Sequence, residues 1–272
     1  MQTRSIVAGK VISVLCLAAY LSIPPVIGQP EAPGWVEHET LTQQTSRAGS
    51  RVLLRGKVEH SHQLPALDPR LLPGHHFDAS LLKQADQVEE WIKIPSWFAG
   101  EFQIKKSVVT SITDYVHQET KEVMRPQKAE TAAFYGHQRD SGDNIWHLNK
   151  YPFYSVVHMG SLTQYATAKT QEFLEVSDDR VVIKLTGPAV IVRNLTGKIV
   201  RASQTETIVV CYPDRSDVMA KGSIKSFDAS GSPIDCAVHV ASLRRFKPFH
   251  ADPSTEVSFK RFLVSRPPTG VR

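Results

Sequence analysis

The chain has 272 residues, 32 of them basic and 27 acidic, with 41% hydrophobic and 8% aromatic side chains and three cysteines. The formal charge of +5 is carried by Lys and Arg dispersed among acids, with no basic block interleaved with aromatics, which argues against a nucleic-acid footprint. Gly-x-Ser-x-Gly, His-Glu-x-x-His and Gly-rich phosphate loops are all absent, so no reaction class announces itself.

In chain order, Arg4 and Lys10 form a positive n-region ahead of an uncharged apolar run from Val11 to Ile23. Val26-Ile27-Gly28 then offers a cleavage site before Gln29, the pattern of a secretory signal over 1–28. An uncleaved anchor is the alternative, but Pro24 and Pro25 stop the run short of the ~20 apolar residues a span needs. Cleavage removes two of the 32 basic residues and none of the 27 acids, leaving +3. The mature chain is then expected to be exported, periplasmic or extracellular, without a stable membrane span.

Residues 29–77 carry few periodic apolar positions and many punctuators, among them Pro30, Pro33, Gly34, Pro65, Pro69, Pro73 and Gly74, and read as a loosely ordered Pro-rich arm. A short strand near Val52-Leu53-Leu54 would suit a sheet edge. Asp78 then stands as an N-cap before Leu81, Leu82, Ala85, Val88 and Ile92, spaced three to four apart, which predicts an amphipathic helix over 78–94.

After Trp97 the period becomes two: Phe102, Ile104, Val108 and Thr110 alternate with Gln103, Lys105 and Ser107. Further strands are expected at 128–139, 144–149, 153–159, 162–174, 180–193, 197–212, 217–228 and 233–246. Turn chemistry such as Asp140-Ser141-Gly142-Asp143 and Asp228-Ala229-Ser230-Gly231 separates them. The fold class is therefore mainly β, and the domain over 95–247 reads as an antiparallel meander of about eight to ten strands closed into a barrel, since closure removes exposed edges. An open sheet or a sandwich competes. The 248–272 tail has Val257, Phe259, Phe262 and Leu263 spaced for a short helix against the barrel wall. In such a meander Cys211 and Cys236 fall on strands two apart, beyond the ~7 Å a disulfide tolerates, so both are read as small buried hydrophobes.

In order of elements from about 80 to 265, the chain resembles the lipocalin and wider calycin superfamily. Gly100-Glu101-Phe102 stands where lipocalins carry Gly-x-Trp on the first strand, and Arg244 or Arg245 where an Arg at the end of the last strand packs across that ring. Phe replaces Trp, and Trp97 is an alternative source of the ring. The resemblance implies a secreted barrel that binds one small apolar or amphipathic molecule.

His60-Ser61-His62 and Gly74-His75-His76 bring four imidazoles into the arm, at loose spacing and without an evident second shell, and surface histidines are the favoured reading over zinc or copper ligands. No cofactor is assigned. Among the strand histidines, His239 alternates with Ala237, Ala241, Leu243 and Arg245. Arg201 alternates with Ile199, Ser203, Thr205, Thr207, Val209 and Cys211, so either residue would pair with a ligand carboxylate if its face is inward. Phe102, Tyr165, Arg201 and His239 are thus the candidate ligand-binding residues. No catalytic or metal residue is assigned. Two functions follow: a small-molecule-binding barrel with a cavity, or a filled barrel serving as a structural or protein-interaction module. Enzymatic activity ranks third.

Overall fold

Long β-branched runs such as Val181–Arg193 bury themselves best when a sheet is covered on both faces, and the chain covers its main sheet on both. The structure, a computed structural model, describes residues 59–83, 86–127 and 132–265. The expected signal over 1–28, the first part of the arm and the expected strand near Val52 lie outside the described residues.

Thirteen strands are formed among the described residues: β1 Val88–Ile94, β2 Gly100–Asp114, β3 Glu119–Gln127, β4 Ala132–Tyr135, β5 Gln138–Arg139, β6 Ile145–Tyr151, β7 Phe153–Met159, β8 Leu162–Ala168, β9 Thr170–Val176, β10 Val181–Arg193, β11 Lys198–Asp214, β12 Asp217–Phe227 and β13 Pro233–Pro248. One α-helix, α1, runs Glu256–Ser265. Ten strands make a long antiparallel sheet in the order β3-β2-β13-β12-β11-β10-β8-β7, with β4 added to β2 and β9 to β10; β1, β6 and β5 make a small second sheet.

The main core lies between the two sheets. Phe102 and Ile104 of β2, Ile183 and Leu185 of β10, Val209 of β11 and Leu243 of β13 meet Ile94 of β1 and Ile145 of β6 there, with the Phe98 and Tyr135 rings tilted against each other at 4.1 Å. Behind the small sheet, Phe259 and Phe262 of α1 lie 4.8 and 6.1 Å from Trp91, and 6.2 and 5.3 Å from Trp146. The aromatic spacing that predicts the tail helix is what docks it.

Residues 59–83 cross the other face of the long sheet as a strap. Leu64 and Leu67 N–H donate to the carbonyls of Gly231 and Ala229, and Gly74 and Phe77 N–H to those of Ile199 and Gly197. Leu71 and Leu82 pack on Val190, Val192 and Ile199. The order of layers is strap, long sheet, core, small sheet, helix.

Three expectations are corrected. The described part of the arm is not loose: its carbonyls and N–H groups find partners on the sheet, which lets a Pro-rich segment lie flat without being a strand. No helix spans 78–94. Asp78 does cap, accepting from Ser80 N–H at 2.8 Å, but only the 3₁₀ turn Ala79–Leu82 follows, and Val88–Ile94 pairs with β6 instead. Val88, Glu90, Ile92 and Ile94 also fit a period of two, and cross-strand pairing outweighs helical spacing there. Finally, the sheet does not close. Among the described residues no ladder joins β3 to β7; the β3 edge is instead protected by Glu119, Lys121, Glu122, Arg125 and Pro126, and the small sheet covers the open side of the core.

Cys211 is buried and Cys236 partly so, and both are free thiols. Ala220 pairs with Cys211 on one side and with Ala241 on the other, five residues from Cys236. The two thiols therefore sit roughly 19 Å apart by strand spacing and rise. No helix of the described residues is long and apolar enough to cross a membrane.

Candidate functional site

Directly paired residues of an antiparallel ladder point to the same face, so one cross-sheet row fixes the surroundings of His239. Val109, His239, Gly222, Val209, Ile183 and Phe173 lie in register across β2, β13, β12, β11, β10 and β9. Val209 and Ile183 belong to the main core, so His239 faces it too. Its ring lies in the space Gly222 leaves: a Cβ there would stand 2.3 Å from His239 Cε1 and Nε2. The side chain is wholly buried, and neither ring nitrogen has a hydrogen-bond partner. Burial alone pushes its pKa down to about 4, so the imidazole is neutral at pH 7.

Other polar atoms in this interior are also unsatisfied. On the next row, Gln171 pairs with Leu185, which in turn pairs with Thr207. Its Oε1 has no partner, and its main-chain carbonyl accepts from Asn149 Nδ2 at 2.9 Å, while Asn149 Oδ1 is itself unpaired. Ser155, level with Ala166 and Ala189, has an unpaired hydroxyl. Unsatisfied buried donors and acceptors are costly and uncommon. Here several of them lie in or beside the main core.

Phe102 and His239 both face the main core, but at opposite ends of it. Arg245 pairs with Phe102, its guanidinium 5.4 Å from the ring centroid, and donates to the carbonyl of Trp97. Six residues separate Arg245 from His239, roughly 20 Å of strand. Gly100 holds φ +134, and a Cβ there would stand 2.6 Å from the carbonyl of Lys247, so the Gly-x-aromatic needs its glycine.

Arg201 is half-exposed beside Ile191 and the buried Gln164, at the far end of the long sheet from Phe102. A register shift in the β10–β11 ladder between Ile191 and Val192 sets Val200 as an extra residue, so Ile199 turns to the strap face and does not share a face with Arg201. By ladder pairing Arg201 shares the core-side face with Ala189, whereas Tyr165 points to the strap face, its ring 4.3 Å from Phe77. Of the four predicted ligand residues, the structure places His239 and Phe102 against the main core and does not bring them together with Arg201 or Tyr165.

The half-buried His137 and the buried His147 form a pair, rings 4.8 Å apart. Each Nδ1 accepts a main-chain N–H, from Leu148 at 3.0 Å and Gly136 at 3.3 Å, so each Nε2 carries the hydrogen. Burial holds His137 down at about 4 and His147 well below the imidazole range, the latter pushed further by His137.

The strap face carries a cluster that sequence reading missed. Glu206, 1% exposed, accepts from Lys184 Nζ at 2.8 Å, from the N–H and hydroxyl of Ser61 at 2.7 Å each, and pairs with His60 Nδ1 at 3.0 Å. The other nitrogen of His60 lies 2.7 Å from Ser223 Oγ, and Lys225 Nζ donates to the Ser61 carbonyl at 2.8 Å. Burial pulls the Glu206 pKa up, and hydrogen bonds from His60, Lys184 and Ser61 more than offset it, holding the carboxyl at about 2. The available signal was a glutamate in the stripe Ala202, Gln204, Glu206, Ile208, Val210, where an apolar face demands a partner for a charge. Among the described residues no group of three or more His, Cys, Asp and Glu is arranged to hold a metal.

Comparison with protein-family models, curated proteins and solved structures gave no match to this chain.

Proposed function

We propose that this is an exported, lipocalin-like binding protein whose long sheet and small sheet together enclose a site for one small apolar or amphipathic molecule carrying a polar group. The small sheet takes the place that barrel closure would fill. The observation that carries this reading is His239: neutral, wholly buried, with both nitrogens unpartnered among apolar walls. Small-molecule sites pair mostly apolar lining with a few placed polar groups, and a neutral imidazole offers one donor and one acceptor. The Arg245 guanidinium over Phe102 supports the lipocalin-like part of the reading, since an arginine from the last strand, β13, lies across the ring of the Gly-x-aromatic on β2.

A second reading, a filled β module with a structural or protein-binding role, is favoured by the close aromatic packing of Phe98, Phe102 and Tyr135 at one end of the core. Native mass spectrometry of the mature protein, purified gently from its own compartment, separates the two. A stoichiometric small molecule that is lost in His239→Leu supports the binding reading. A clean apo mass with no uptake of added fatty acids, retinoids or tetrapyrroles overturns it in favour of the filled module.

A further inference from the structure

On the strap face, independent of the enclosed site, three side chains from distant parts of the chain stand in a line of hydrogen bonds. Glu206 Oε1 lies 3.0 Å from His60 Nδ1, and His60 Nε2 lies 2.7 Å from Ser223 Oγ. A carboxylate can only accept, so Nδ1 carries a hydrogen, and in the neutral imidazole Nε2 then presents its lone pair to the serine hydroxyl. That is the acid, imidazole and hydroxyl order in which a base is oriented by a third group and activates a nucleophile. The acid is fixed more firmly than a surface pair would allow: it is 1% exposed and held also by Ser61 and Lys184. His60 and Ser223 are both partly exposed.

From this geometry we infer that Ser223 is a relay-activated nucleophile toward activated acyl esters, with His60 as its base and Glu206 orienting His60. Ser223 Oγ attacks the ester carbonyl, the new Oγ–C bond forms, and the hydroxyl proton passes to His60 Nε2. Collapse breaks the bond to the leaving alkoxide, which takes the proton from Nε2 and departs as an alcohol. Water then attacks the acyl-serine by the same route in reverse, giving the acid and restoring the serine hydroxyl. β12 is paired on both sides along this stretch, so its main-chain N–H groups are spent in the ladder. Stabilisation of the tetrahedral oxyanion therefore falls to ammonium groups, and Lys221 and Lys225 share the face of Ser223, one on either side in β12. Their charge favours anionic esters.

The experiment uses the full mature chain and a fluorophosphonate probe, whose phosphorus takes the serine oxygen as fluoride leaves. Tryptic mapping should place a single adduct on the Gly222–Lys225 peptide. Labelling should vanish in Ser223→Ala and fall at least ~100-fold in His60→Gln, the scale of a lost general base. Circular dichroism and hydrogen exchange at Leu64 and Leu67 check that the variants keep the fold and the docked strap. Mono-p-nitrophenyl succinate should release nitrophenol several-fold faster than p-nitrophenyl acetate. No adduct on the folded protein, adducts spread over other serines, or equal labelling of a folded His60→Gln overturns the inference and leaves His60–Ser223 as a fastening for the strap. Equal rates with the two esters overturn the anionic preference.

Discussion

The two faces of the long sheet bury polar groups by opposite means. On the strap face Glu206 keeps its charge, because Lys184, His60 and Ser61 supply what water would have supplied. On the core face His239 gives up its charge and is left with nothing to bond. A buried charge persists only where partners satisfy it, and a titratable group without partners becomes neutral. The strap face is thus a fastening under electrostatic load, whereas the core face holds unused hydrogen-bonding capacity.

The comparison is broken most severely at Glu206. Glu206→Ala leaves Lys184 of the sheet and His60 of the strap without their anion, and the expected loss is about 3–5 kcal/mol, read from urea denaturation. Because the folded carboxyl sits at about 2 against its ordinary 4.5, its contribution is complete above the unfolded value and is lost as pH falls from 4.5 towards 2. The variant should therefore show a shallower stability loss than the wild type across that range. An unchanged urea midpoint in the variant would mean that the strap is not fastened through this carboxylate.

The histidines give the second largest effect, at a different pH. His239 and His137 are held at about 4 when folded and titrate near 6.5 when unfolded. The unfolded chain therefore takes up protons first as pH falls, and stability present above 6.5 is lost between 6.5 and 4. For His239 alone the full loss is on the order of 3 kcal/mol. Thermal melts from pH 7 to pH 4 should show Tm falling steeply in the wild type and less in His239→Leu, and parallel curves would contradict the assignment.

Much of this contrast was legible in the sequence, and the missing part has a physical cause. The β class, the tail helix and most strand windows from β6 onward follow from local periodicity and turn residues, whereas β3 has no expected counterpart, β8 and β9 fall in one expected window, and periodicity alone leaves open which way His239 faces. The helix over 78–94 fails because Val88 and Ile92 satisfy a helical spacing and, with Glu90 and Ile94, a period of two, and only pairing with β6 decides between them. Arg201 and Ile199 were placed on one face because a bulge at Val200 shifts parity without any Gly or Pro to announce it. The His60–Glu206–Ser223 line was invisible for a different reason: its members lie 146 and 163 residues from His60, and only the docked strap brings them together. Closure failed because edge strands have cheaper protections than pairing, and β3 uses charge and Pro126.

A smaller effect sharpens the core-face half. Gly222→Ala drives a methyl to 2.3 Å from the His239 ring, which has apolar walls and nowhere free to move, and such overpacking costs about 1–3 kcal/mol. In His239→Ala the same methyl enters the vacated space, so the double variant should recover part of the loss and the two changes should be non-additive in a double-mutant cycle. Additive losses would show that the clash lies with something other than the imidazole.

The smallest expected change in stability carries the most information about function. Leucine has nearly the shape and volume of histidine in an apolar pocket, and His239→Leu removes two nitrogens that bond to nothing in the folded chain. At pH 7, where the imidazole is neutral, the cost of burying those nitrogens disappears and no hydrogen bond is lost, so stability should hold within about 1 kcal/mol or rise. If the interior is merely a filled core, that gain is the whole consequence. If the imidazole is the polar contact for a bound molecule, the variant is as stable as the wild type yet fails to retain or take up the ligand, a separation that only a binding role produces. Urea denaturation and native mass spectrometry on the same preparation read both quantities, and a variant that stays ligand-loaded would remove His239 from the site.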